Sequence, residues 1–351
     1  EGLSGNTAAE KAAALEQSMT AMDQMVELFY AHKGLSTASD AEPHNRVPAG
    51  RLNIRYQRMF AGAFMYAGGL HIGIEWPQFK EMVNGKPVIA DAEGRYQSGS
   101  LFGWGLSHEI GHEINEGAYA VAEVTNNYYP LLAQARETND SLRVKYEDVF
   151  KKTTSGARGK ASDGAVQLAM YWQLHLAYDM GGYNFKTFDT SKEQLENLIF
   201  ARMDSYVRKP SSAPGAEGNK LKLSGTDKDN VLMRLAAAAA RKDLLDFFRH
   251  WGMEPDADTV RYASQFEKEE RGIWFANDEN RVWQMEKRNT SQETETSAKG
   301  SVPQGIIQYV NGENQVNLEI SGDTNVWIYE IVRCERDGGT EKKQSVGYAY
   351  A

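Results

Sequence analysis

GWGLSHEIGHEINEGAYAVAEVTNN, Gly103 to Asn127, decides how the rest of this 351-residue chain is read. It contains His108, Glu109 and His112 in the order His-Glu-x-x-His. Residues four apart lie one above the other on an α-helix, so both imidazoles can reach one metal ion. Glu109 follows the first of them and can stand beside a metal-bound water. Catalytic zinc takes three protein ligands and keeps a position open for water, with a carboxylate as general base. This residue order is a signature of that chemistry. A five-residue pattern with two free positions also occurs on ordinary surface helices, so the flanks must decide.

Leu106, Ile110 and Ile114 recur at helical spacing, which predicts one amphipathic helix from about Leu106 to Glu116, stopped by Gly117. A third ligand has to come from a nearby carboxylate. Glu113 is rotated about 100° off the ligand face. Glu116 is on that face but a full turn beyond His112. Glu123 follows the break at Gly117, in AYAVAEVTNNYYPLLAQA, which again shows helical periodicity. A second helix crossing the first could deliver it, and the reading favours Glu123.

GWGLSHEIGH followed by AEVTNN resembles the core of the enhancin-like, mucin-active zinc metallopeptidases, peptidase family M60, of the gluzincin type. Two distant phrases extend the resemblance in the same chain order. AVQLAMYWQLHLAYDMGGYNF is similar to a family segment of the form F-W-Q-L-x-x-x-Y. DLLDFFRHWGMEPDADT, Asp243 to Thr259, is similar to a late motif L-x-x-F-F-x-x-W-G. Carried over position by position, the resemblance implies one Zn2+ held by His108, His112 and Glu123, with Glu109 as catalytic base. It further implies a secreted or cell-surface endopeptidase whose substrate is an O-glycosylated, mucin-like protein. One departure concerns the residues after the second His, where family members often carry Asn, His or Gln and this chain has Glu113 and Glu116.

Three more residues are candidates for the site. His175 and Tyr178 are chemically suited to donate to a developing oxyanion. Trp104, between two glycines, could line the cleft by stacking on a sugar ring or anchor the start of the helix. The glycine-rich YAGGLHIGI, Tyr66 to Ile74, could serve as an edge strand for an extended substrate. His71 within it reads as structural.

Composition sets the outer bounds. A net charge of −9 argues against a nucleic-acid partner, which calls for a basic face. No run approaches the roughly 20 apolar residues of a membrane span. The single cysteine, Cys334, allows no intrachain disulfide and reads as a small core residue. The start, EGLSGNTAAEK, has no basic and apolar leader, and the end offers no terminating element, so the expectation is a piece of a larger protein.

The predicted fold class is α+β: a gluzincin-like catalytic domain over 1–290, a linker over 291–300, and a β-rich piece over 301–351. Within the first, an N-terminal helix and sheet occupy 1–105, the zinc helices 106–137 and a helical subdomain 138–290. Helices are expected near 7–33, 78–83, 141–152, 163–178, 192–207, 227–241 and 243–251, with Asp227 or Asp229 as an N-cap. NTSQETETSAKG, Asn289 to Gly300, is the linker. The alternating runs after it suggest an incomplete fibronectin type III-like sandwich, or an extra sheet on the catalytic domain. Two other functional classes remain open. One is a glycan- or mucin-binding module with a non-catalytic metal site; the other is a general zinc peptidase or aminopeptidase without glycan dependence.

Overall fold

The computed structural model describes residues 2–350 apart from 51, 60–61, 70, 88, 91–95, 98–102, 139–142, 180–197, 279–303, 311–312, 320–327 and 338–339. The chain opens with the long helix α1, Ala8–His32. Thr7 caps it: its hydroxyl accepts from the Glu10 N–H, and the Glu10 carboxylate accepts from the N–H groups of Asn6 and Thr7. The inner face of α1 buries Ala21, Met25, Leu28 and Phe29, and Phe29 meets Tyr129 edge-on at 5.2 Å. The methionine-rich stripe is therefore core on one side, while Leu15 and Met19 stay exposed.

A small sheet follows, in the order β1 (Asn53–Tyr56), β3 (His71–Ile74), β2 (Met65–Ala67). The expected edge strand Tyr66–Ile74 is thus a hairpin: β3 is central, parallel to β1 and antiparallel to β2. Tyr66 lies flat over Gly73, where a Cβ would sit 2.2 Å from the ring. His71 is structural: its Nε2 and Gln57 both hydrogen-bond the Tyr66 hydroxyl. Helix α2, Trp76–Met82, leads away from the sheet, and α3, Gly103–Ile114, packs on β2.

Helix α3 is shorter at its end than the expected Leu106–Glu116. Ile114 is its last residue, and Glu116 instead opens a turn, its carbonyl accepting from the N–H groups of Tyr119 and Ala120. The predicted second helix is also cut back. Residues 117–124 form turns, 125–127 a single 3-10 turn, and α4 begins only at Tyr128, running to Thr138.

The helical part comprises α5 (Tyr146–Thr153), α6 (Gly164–Tyr178), α7 (Ile199–Arg208), α8 (Lys228–Ala240), α9 (Leu245–His250) and α10 (Ala257–Ala263). Asp163 and Asp227 cap α6 and α8, each accepting two backbone N–H groups. Positions 141–142 and 192–197 of two expected helices lie outside the described residues. Helix α6 is buried on every side from Gln167 to Ala177 and forms the axis of this part.

The distant sequence motifs meet on that axis. Gln173 donates to the Trp274 and Ala276 carbonyls, and its Oε1 accepts from Trp251 Nε1 at 3.1 Å. Gly252, after Trp251, adopts φ +78°, and a Cβ there would stand 2.4 Å from the Ala157 carbonyl oxygen. Only glycine meets both demands.

After the expected linker, which lies outside the described residues, come two antiparallel hairpins, Gln304–Val310 with Glu313–Glu319 and Ile328–Asp337 with Thr340–Tyr350. No sandwich is formed among the described residues. The second hairpin instead seats on α5: Tyr348 meets Phe150 edge-on at 5.4 Å, and Glu330 lies 3.6 Å from His250 Nδ1. Cys334 is exposed on it, not part of the core as expected.

A buried ion pair ties the two halves together. Lys33, just past the end of α1, places Nζ 2.8 Å from Asp204 Oδ2 on α7, with both side chains under a tenth exposed. Tyr119 donates to the other oxygen of Asp204 at 2.6 Å. Removing one partner of a buried pair strands the other charge, at a cost of about 3–5 kcal/mol. Asp204→Asn should therefore lower unfolding stability in urea by about that amount, and Lys33→Met combined with Asp204→Leu should recover most of it. An unchanged midpoint in Asp204→Asn would contradict the role given to the pair.

Candidate metal centre

His108 and His112 project from α3 toward the turn that carries Glu123. Their Nε2 atoms are 3.1 Å apart, and the Glu123 carboxylate oxygens lie 3.2 Å from His108 Nε2 and 3.1 Å from His112 Nε2. One ligand atom from each residue falls within 4.8 Å of the others. Tetrahedral zinc with bonds of about 2.0–2.1 Å has donor–donor edges of about 3.3 Å. Two imidazole nitrogens with a carboxylate across them, one oxygen near each nitrogen, suit the ion in chemistry and lie close to that spacing.

Asn127 Oδ1 stands 2.6 Å from His108 Nδ1; with the proton on Nδ1 this contact is a hydrogen bond and the Nε2 lone pair is left for the cluster. Buried Asn126 also directs its side-chain nitrogen at His112 Nε2, 3.1 Å away. Glu123 is 68% exposed, which leaves the cluster open to solvent on the carboxylate side.

Glu123 reaches this place through local strain. It has φ +61°, the left-handed region that residues with a Cβ avoid at a cost of about 1–2 kcal/mol. Asn127 holds it there, donating from Nδ2 to the Glu123 carbonyl at 2.7 Å while its Oδ1 accepts from His108. Thr125 closes the loop in front: its hydroxyl donates to the Val121 carbonyl and accepts from Val121 N–H and from Asn115. Gly111 lets this loop lie against α3, since a Cβ there would be 2.3 Å from the Asn126 carbonyl oxygen. Periodicity alone could not reveal this arrangement, because a strained turn carries no periodic signal.

Glu109 is half-buried beside the two histidines. Burial pushes its carboxyl above the usual range; the charges of His108 and His112 pull it down, Glu123 pushes up again, and the Ala67 N–H, donating from strand β2, pulls down. Glu116 points away from the cluster. Burial and then the Asp204 charge raise its carboxyl, while Lys33 lowers it. Glu113 stays half-buried on α3, outside the group of three.

His175 and Tyr178 are placed elsewhere. Gly164, the first residue of α6, lies against the Glu123 carbonyl, and His175 and Tyr178 follow eleven and fourteen residues later. At 1.5 Å per residue that is about 16 and 21 Å along the helix. His175 is fully buried, stacked on Trp172 and 2.7 Å from Asp179. Its ring forms a second compact group with His32 and Asp179, bridged by the Tyr128 hydroxyl at 3.1 Å from each imidazole. Tyr178 donates to Glu269 at 2.6 Å beneath Arg271. Trp104 is partly buried against the core at the start of α3, and the Arg143 guanidinium covers its ring at 4.2 Å.

Two measurements test this arrangement. Asn127→Ala should weaken metal binding about 10–100-fold with the circular dichroism unchanged; undiminished affinity would remove Asn127 from its orienting role. Glu269 concerns the far end of α6. Burial opposes its charge, but the hydrogen bonds and charge of Arg271, then the Tyr178 hydroxyl, outweigh that and hold the carboxyl at about 2. Because the folded value lies below the unfolded one, this stabilisation is present above about pH 4.5 and is lost as pH falls toward 2. Glu269→Gln should thus lose less stability than the parent chain between pH 5 and pH 3, read by urea unfolding.

The chain is 30% identical over 168 residues to the accessory colonization factor AcfD of Vibrio cholerae serotype O1, a stretch covering 43% of this chain and 11% of AcfD. It shares its fold with the M60 catalytic domain of Clostridium perfringens ZmpC, whose structure is in complex with the sialyl T antigen. There the TM-score is 0.59 at 20% identity, covering 97% of this chain and 59% of that one. The ZmpB metallopeptidase of the same organism gives a TM-score of 0.60 at 19% identity, covering 95% and 57%. This chain therefore spans a small part of AcfD and somewhat over half of each solved relative. Residues 7–252 match the family model for peptidase M60, enhancin and enhancin-like, and the chain belongs to that metallopeptidase family.

Proposed function

We propose that this chain is a zinc endopeptidase acting on O-glycosylated, mucin-like proteins, with His108, His112 and Glu123 as the metal ligands and Glu109 as the base. The observation that carries the reading is the convergence of His108, His112 and Glu123, with ligand atoms within 4.8 Å of one another and the half-buried carboxylate of Glu109 beside them. Zinc bound there would supply Lewis acidity to a scissile carbonyl and make water a competent nucleophile near neutral pH.

The remaining work falls to the chain's own side chains. Glu109 takes a proton from the attacking water and returns it to the leaving amine. The Ala67 N–H holds one side of that carboxylate, fixing its direction. Asn127 keeps the His108 proton on Nδ1. Strand β2, which touches both α3 and the general base, is a backbone edge along which an extended substrate can lie.

The glycoprotein part of the reading rests on kinship: ZmpC, a member of the same fold, is seen with the sialyl T antigen. Secretion or surface display follows from that substrate class, and among the described residues no helix is long and apolar enough to cross a membrane.

The test is direct. Purified protein should carry about one zinc per chain, and a defined O-glycopeptide should be cut at sites mapped by mass spectrometry, with chelator abolishing cleavage. Glu109→Ala should reduce the rate by about 10²–10⁴-fold while zinc content stays unchanged. Cleavage that persists after the glycans are removed would identify a general peptidase. Zinc-loaded protein that binds mucin without cutting it would identify a binding module.

A further inference from the structure

Between Ile114, the last residue of α3, and Glu123 the chain makes a turn whose hydrogen bonds are mostly its own. The Glu116 carbonyl accepts from the N–H groups of Tyr119 and Ala120, Asn115 donates to the Thr125 hydroxyl, and Val121 and Thr125 bond each other. Bonds of that kind shape a turn without fixing it against the rest of the molecule. Among the described residues, two hydrogen bonds tie residues 115–123 to the helical part. One runs from Lys228 Nζ, at the exposed start of α8, to the Ala120 carbonyl at 2.9 Å. The other runs from the Tyr119 hydroxyl to Asp204 Oδ1 on α7, at 2.6 Å.

The second is the stronger tie. Both partners are buried, Tyr119 at 6% and Asp204 at 2% exposed, and an ionised acceptor makes the bond charge-assisted. Burial, then the Asp204 charge, keep the Tyr119 hydroxyl well above its ordinary range, so it remains the donor. Asp204 is itself fixed by Lys33 Nζ at 2.8 Å. Asn115, Tyr119, Thr125 and Asp204 line one internal pocket of only about 20 Å³. The bond therefore lies beside the Thr125 hydroxyl that closes the Glu123 loop, in a close-packed region that transmits small shifts.

We propose that Tyr119 is a positioning residue for the metal centre: its hydroxyl anchors the Glu123 turn to α7 and so holds that carboxylate over His108 and His112. Glu123 needs such an anchor because its left-handed backbone, at φ +61°, persists only while the surrounding chain is held. Asn127 supplies the hold after Glu123, and Tyr119 supplies it four residues before. The inference rests on Glu123 being a metal ligand. It makes the ligand geometry of one half of the protein depend on a buried charge of the other.

Tyr119→Phe tests it, since the ring stays in the core and only the hydroxyl is lost. Zinc affinity, read by competition with a chelating indicator, should fall about tenfold. The visible spectrum of the Co2+-loaded protein should change too, because it reports the arrangement of the donors. Tyr262→Phe is the control: that buried hydroxyl, on α10, donates to the Pro214 carbonyl at 2.7 Å, outside the turn. It should lower the melting temperature while leaving zinc affinity and the Co2+ spectrum unaltered. Parent-like affinity and spectrum in Tyr119→Phe would overturn the inference and leave the ligand assignment standing. Equal loss of affinity in the two variants would also overturn it, by showing general destabilisation. A parent chain that takes up no zinc would overturn the ligand assignment, and the inference with it.

Discussion

The close contact between helix α3 and the turn that follows it is the constraint on which the rest depends. Gly111 has no side chain, so the backbone of Asn126 can press against the helix between the two histidines. That approach brings Asn127 to His108 and Glu123 to both Nε2 atoms. A methyl group at Gly111 would force the turn outward and separate the donors. The left-handed backbone at Glu123 follows from the same geometry, because the chain must reverse sharply to place a carboxylate over a helix it has just left. Strain of this kind persists where surrounding hydrogen bonds over-determine it, and Asn127 with Thr125 provides them.

Much of this was legible in the sequence, for physical reasons that can be named. The spacing of His108 and His112 is a property of any α-helix, so the two imidazoles could be paired before a coordinate existed. The long helix α1 announced itself through its periodicity, and the structure adds the Thr7–Glu10 cap. Asp227, read with Asp229 as a possible N-cap, signalled a helix start because a short carboxylate side chain satisfies free N–H groups. Glu123 does stand beside the two histidines, but a turn and not the expected second helix carries it there. Alanine-rich AYAVAEV satisfies helical periodicity, and tertiary contacts override so weak a preference.

His175 and Tyr178 show the opposite failure. Chemical suitability and order in the chain put them near the site, yet α6 carries them away from Glu123 along its axis. Inside the protein His175 Nδ1 meets Asp179 and Tyr128, and the Tyr178 hydroxyl donates to Glu269. Residue type reports what a side chain can do, and only the fold reports which partner it meets. At the end of the chain two readings stood open, a sandwich or an extra sheet on the catalytic domain, because alternation identifies strands but does not say which surface they will cover; the second hairpin lies on α5.

That surface changes how the catalytic unit is to be delimited. Phe150 on α5 is fully buried, with Phe275 and Tyr348 each 5.4 Å from its ring. Both neighbours lie beyond residue 252, where the family match stops. The unit recognisable by descent is thus smaller than the unit that excludes water from its own core. A chain cut at the limit of homology would leave an aromatic side chain on α5 facing solvent. Kinship and cohesion draw different borders on the same polypeptide.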